Sequence, residues 1–112
     1  MKESAIQYQI LAYLTMLENQ GKCWFTRTAS GAVRVKRKDG SEGFFKTGKA
    51  GTPDIIACFS GKFVGIEVKT SKGKLSEAQL LACFKISKAK GIYITARSVD
   101  ELIEDLKSLN LI

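Results

Sequence analysis

Apolar residues recur at Ile6, Ile10, Leu14 and Leu17, with Tyr13 beside them. That spacing predicts an amphipathic helix over 3–20, stopping before Gly21. Cys23 to Thr28 has strand character through Trp24, Phe25 and Thr26, with Trp24 expected in the core. Val33, Arg34, Val35 and Lys36 then alternate, and Asp39-Gly40 predicts a hairpin turn leading into Phe44-Phe45. Adjacent strand residues face opposite ways, so at most one phenylalanine can stack on a base, and core or subunit packing suits both better. Two further apolar runs, Ile55–Phe59 and Phe63–Val68, flank Ser60-Gly61 and predict a tight antiparallel hairpin. Ser76 with Gln79 reads as a capping box opening a helix through Leu80, Leu81, Phe84 and Ile86 to about Lys90, with Gly91 as its stop. A strand at Ile92–Ala96 follows. Ser98 with Glu101 opens a last helix that buries Leu102, Ile103, Leu106 and Leu109. The order is α-β-(β-β)-β-β-α-β-α. The strand–helix–strand unit from Phe63 to Ala96 favours a parallel crossover beside the antiparallel hairpin, hence a mixed sheet flanked by helices.

The central hairpin also carries chemistry. With Ser60-Gly61 as its loop, Phe59 faces Lys62 and Asp54 stands opposite Glu67. Two opposed carboxylates, with β-carbons about 4.5–5.5 Å apart, destabilise a sheet unless something neutralises them, and a divalent cation would do so. Strand alternation puts Lys69 on the face of Glu67, and sends Val64, Ile66 and Val68 into the core. Pro53 sits at the strand's first position, where a missing N–H is tolerated.

Composition narrows the choices. A chain of 112 residues has room for one domain, 1–112, and one modest core, so site and substrate contacts share a scaffold. A 45% hydrophobic and 26% charged content is that of a folded globular protein. No apolar run is membrane-length and no leader pattern is present, which points to a soluble, cytoplasmic protein without membrane contact. Cys23, Cys58 and Cys83 are odd in number, far apart and set in apolar runs, as expected of buried reduced thiols. The absence of histidine excludes Ser-His-Asp hydrolysis and histidine-ligated zinc, leaving carboxylates, lysine and metal for any catalysis. The net charge of +7 is uneven: residues 27–49 carry seven bases against two acids, whereas residues 98–112 carry four acids against one base. The basic segment, with Arg27, Arg34, Lys36, Arg37, Lys38, Lys46 and Lys49, suits a polyanion such as DNA. Lys72 and Lys74 add a basic loop beside Lys69.

Pro53-Asp54 followed by Glu67-x-Lys69 resembles the PD-(D/E)xK nuclease superfamily. Taken with Glu3 in a first helix, Gly51-Thr52-Pro53-Asp54, Glu67-Val68-Lys69-Thr70, Lys72-Gly73-Lys74 and Ser76-x-x-Gln79, nearly the whole chain resembles the virus-type replication-repair nuclease (VRR-NUC) family, whose small stand-alone members include phage proteins. The resemblance implies a restriction-endonuclease-like α/β fold with a mixed central sheet, phage-encoded or bacterial. It also implies a Mg²⁺-dependent endonuclease in which Mn²⁺ can substitute. Asp54, Glu67, the Val68 carbonyl and Glu3 would hold the ion, Lys69 would orient the attacking water, and Gln79 would touch substrate or water. Helix-end electrostatics alone would equally place an acid at Glu3, and capping alone a glutamine at Gln79. The resemblance favours a homodimer acting on Holliday junctions or other branched DNA. A nicking or flap nuclease is the nearest alternative, and a non-catalytic basic nucleic-acid-binding module is one of a different class.

Overall fold

The computed structural model describes all residues except Ala29 and Ser30, and for 31–33 and 44–47 the backbone alone. The elements follow the expected order: α1 (Glu3–Asn19), β1 (Trp24–Arg27), β2 (Gly31–Lys36), β3 (Glu42–Thr47), β4 (Ile55–Phe59), β5 (Lys62–Val68), α2 (Glu77–Lys88), β6 (Ile92–Ala96) and α3 (Val99–Ser108). The central sheet is mixed, ordered β1-β4-β5-β6, with β5 and β6 parallel across the α2 crossover and the other pairs antiparallel. β2 and β3 form a separate two-stranded sheet.

Alternation along the strands makes the two sheet faces unequal. Ile55, Ala57 and Phe59 of β4, Val64, Ile66 and Val68 of β5, and Ile94 and Ala96 of β6 all point one way. There they bury against Ile6, Ile10, Leu14 and Leu17 of α1 and Leu102 and Leu106 of α3. At roughly 1.5–3 kcal/mol per buried aliphatic or aromatic side chain, this one-sided core is the main favourable term. α2 covers part of the opposite face and contributes no fully buried residue.

All three helices close with the same backbone device. The residue after each C-cap is left-handed (Gly21 φ 75°, Lys90 φ 72°, Asn110 φ 57°). The next N–H then reaches back a turn: Lys22 N to Leu17 O at 3.0 Å, Gly91 N to Ile86 O at 2.9 Å and Leu111 N to Leu106 O at 2.9 Å. The stop after α2 is thus Lys90, one residue before Gly91. Leu109, placed by spacing on the buried side of α3, is 40% exposed because it is the C-cap, and Leu111 fills the core beyond it. Ser98 caps α3 by accepting from Glu101 N at 3.1 Å, which is half of the expected box. Ser76 and Gln79 make both halves.

Two sequence expectations about burial fail for one reason. Trp24 is 57% exposed and Cys58 is exposed, with Cys23 and Cys83 only half-buried. Trp24 pairs with Cys58, and Cys58 with Phe63, in a row on the face opposite the core, which α2 covers only in part. Apolar runs show that a strand is buried, not that both its faces are. The expectations for Phe44, Phe45 and Lys46 fall on side chains outside the described residues. Among the described residues no helix is long and apolar enough to cross a membrane.

The loop before β4 is held by a close approach. A Cβ on Gly65 would lie 2.7 Å from Pro53 Cγ, so the missing side chain lets Pro53 lie on β5. Gly65→Ala should therefore cost about 1–3 kcal/mol by overpacking, read as a lower urea midpoint at unchanged slope. An unchanged midpoint would show that the loop yields freely.

Candidate active site

The β4–β5 turn decides which residues meet. Ser60 and Gly61 are both left-handed (φ 51° and 78°), the geometry of a two-residue hairpin loop with primed turn conformation. Phe59 consequently faces Lys62, and the ladder runs in register to Ile55 opposite Ile66. One step further, Asp54 and Glu67 face each other on the side opposite the core. Asp54 is held from three directions. Its carbonyl accepts from Thr28 N at 2.9 Å, the preceding Pro53 carbonyl accepts from Thr28 Oγ1 at 2.5 Å, and its own carboxylate accepts from Val68 N at 2.8 Å. Val68 thus joins the site through its N–H as well as through its position next to Glu67.

Glu67 is the buried charged residue of the described chain, at 2% exposure, and its Oε1 has no hydrogen-bond partner. Burial pushes its carboxyl up to about 8, helped by a hydrogen bond shared with the Asp54 carboxyl and by the Asp54 charge. Lys69 opposes the shift, and Glu3 adds to it from the first turn of α1. Glu67 therefore keeps its proton at neutral pH, because a carboxyl so buried and so close to another acid resists ionisation.

A hard divalent cation fits this pair. The donors are carboxylate oxygens, one of them buried and unpartnered, and a dication in place of the Glu67 proton would satisfy both acids. Among the described residues no three His, Cys, Asp or Glu side chains converge on one point. Glu3 is exposed and reaches the pair through its field, so Asp54 and Glu67 are the carboxylates that would hold an ion.

The remaining expected residues are distributed unevenly. Gln79 is half-buried, and its Oε1 accepts from Ser76 N at 2.8 Å, so its carbonyl end is committed to the cap. Arg34 pairs with Glu42 at 3.1 Å, and Arg37 donates to the Glu42 carbonyl at 3.0 Å, so both support their own hairpin. Arg27, Lys36, Lys38, Lys49, Lys72 and Lys74 are exposed. Two residues that sequence reasoning missed stand close by. Arg97 donates to Thr70 O at 2.6 Å and to Gly73 O at 2.7 Å, clipping the Lys72–Lys74 loop down beside Lys69. Tyr93 pairs with Gly65 on the same face, its hydroxyl is buried without a partner, and burial and then the charge of Glu67 raise its pKa. Strand alternation relative to Glu67 signals Tyr93, whereas nothing local signals Arg97.

No protein-family model matches this chain, and no curated protein matches it.

The buried acid has a consequence for stability. Glu67 titrates near 4.5 when unfolded and near 8 when folded, so the native state binds the extra proton between those values. Stability of the metal-free protein therefore falls as pH rises across that window. Glu67→Gln removes the titration while keeping the shape. Its Tm in EDTA should exceed the parent's by several degrees at pH 8 and match it within about two degrees at pH 5. Equal offsets at both values would place Glu67 in water.

Proposed function

We propose that the protein is a Mg²⁺- or Mn²⁺-dependent endonuclease acting on branched DNA, four-way junctions above all, as a homodimer with a restriction-endonuclease-like fold of the VRR-NUC type. One observation carries the reading: Glu67 is buried opposite Asp54 with an unpartnered carboxylate oxygen, and Lys69 acts on the pair from beside it. A fold gains no stability from burying an acid opposite another acid, since a lone buried carboxylate costs several kcal/mol. A module that merely bound nucleic acid would have no use for the pair.

When bound, the dication would polarise the scissile phosphate and acidify a water molecule. Asp54 and Glu67 would hold it, and Val68 N–H fixes the Asp54 carboxylate in place. Lys69 beside them orients the nucleophilic water and offsets negative charge as it gathers on the phosphate. Glu3 adds negative field from the helix end, which favours a cation over a proton between the acids. Arg97 keeps the Lys72–Lys74 loop at the mouth, where both lysines meet phosphates. Gln79, with its carbonyl in the cap, keeps its amide N–H groups for substrate. One such site makes one nick, and two symmetric nicks on a two-fold junction require two copies.

The test is cleavage of labelled junction, flap, duplex and single-stranded DNA with Mg²⁺, Mn²⁺ or EDTA. Paired nicks in the junction are expected with metal alone. Asp54→Ala, Glu67→Ala and Lys69→Ala should each lower the single-turnover rate by at least about 100-fold while leaving junction binding in EDTA within a few-fold. Cleavage that survives any of the three, or persists in EDTA, would overturn the assignment.

Binding should depend on the exposed lysines rather than on the arginines tied to Glu42. Replacing Lys36 and Lys38 with alanine should flatten the salt dependence of affinity by about one unit per lost phosphate contact. An unchanged slope would turn this hairpin away from DNA.

A further inference from the structure

α2 presents an outer face that none of the described residues covers. Leu80, Leu81 and Phe84 are 55%, 53% and 62% exposed, whereas Ala78, Gln79, Ala82, Cys83 and Ile86 turn toward the sheet. Below the helix a groove of about 380 Å³, floored by Pro53, Ile56 and Phe63 and walled by Leu81 and Ile86, carries the apolar surface onward to Trp24. Half of five large apolar side chains amounts to on the order of 500 Å², the scale at which an exposed patch marks an interaction site.

The order of residues along that face identifies the occupant. Glu77, Leu81, Phe84 and Lys88 follow one another at steps of four, three and four, and so fall in one stripe within about 60° around the helix. The stripe is self-complementary under a two-fold axis. When a second α2 is laid antiparallel across the first, with its centre between Leu81 and Phe84, each Leu81 meets Phe84 of the second copy. Each Glu77 then meets Lys88 of the second copy. Acid at the start and base at the end also set unlike helix termini against each other. Lys88 already leans inward, its Nζ 5.7 Å from the centre of the Phe84 ring, so its stem adds to the apolar contact.

We propose that this stripe is the interface of a symmetric dimer, in which α2 packs antiparallel against α2 of a second copy and closes the groove beside it. This specifies the partner surface for the homodimer reading above. It is independent of the metal chemistry, because it is read without substrate.

Light scattering and sedimentation at micromolar concentration should report about twice 12.3 kDa. Phe84→Glu should give a monomer with nearly unchanged Tm at low concentration, since Phe84 is 62% exposed and its ring meets only the exposed Lys88 side chain in the contact described. Glu77→Lys and Lys88→Glu should each raise the dimer dissociation constant by about 3–10-fold, since each reversal opposes like charges twice per dimer. The double exchange Glu77→Lys with Lys88→Glu should restore it to within about twofold. These positions are on the surface, so folding survives the exchange. A monomeric parent, a dimer indifferent to Phe84→Glu, or charge reversals that add rather than cancel would each overturn the interface. A monomeric parent would also remove the paired-nick expectation, whereas a dimer indifferent to Phe84→Glu would leave it standing. None of these outcomes bears on metal-dependent cleavage through Asp54, Glu67 and Lys69.

Discussion

Everything at the candidate site depends on a repulsion built into the β4–β5 hairpin. A two-residue loop leaves no freedom of register, so Asp54 and Glu67 must face each other once Phe59 faces Lys62. The core face strengthens the constraint. A shift of one residue would expose Ile55, Ala57 and Phe59 along with Val64, Ile66 and Val68, a loss far larger than the cost of two crowded acids. Hydrophobic burial on one side of the sheet thus maintains electrostatic strain on the other. The strain is relieved by the proton that Glu67 retains or, in the reading proposed here, by a cation.

The surroundings are arranged to preserve that pairing. Thr28 grips the backbone of Pro53 and Asp54, Val68 N–H takes one Asp54 oxygen, and Gly65 leaves room for Pro53 to lie flat. Lys69 N bonds to Ala96 O at 3.0 Å, so the lysine that tempers the acids is tied to the parallel strand β6. Parallel pairing of β5 and β6 also places Tyr93 and Thr95 beside Gly65 and Glu67. The site is a product of three strands, although its acids come from one hairpin.

α2 does two jobs that pull its sequence in different directions. Its inner side supplies Gln79 and lies against the site face, while its outer side keeps leucine and phenylalanine in water. Helical periodicity alone cannot tell these sides apart, because both are apolar. The same ambiguity put Trp24 and Cys58 in the core when only the alternate positions of their strands are there.

Much of this molecule was legible one residue at a time. The elements, the turn at Ser60-Gly61, the capping box at Ser76 and Gln79, and the meeting of Asp54, Glu67 and Lys69 all follow from local rules whose range is a few residues. Tertiary structure alone decided how deeply Glu67 is buried, and hence its raised pKa, because that requires β6 and the Asp54 loop brought beside β5 by chain folding. It also decided that Arg97 would clip a loop some 24–27 residues earlier in the chain, and that Arg34 and Arg37 would serve Glu42. Which apolar faces remain in water was settled last of all. The pattern along a chain records that a residue avoids solvent, but not whether its own fold or another molecule provides the cover.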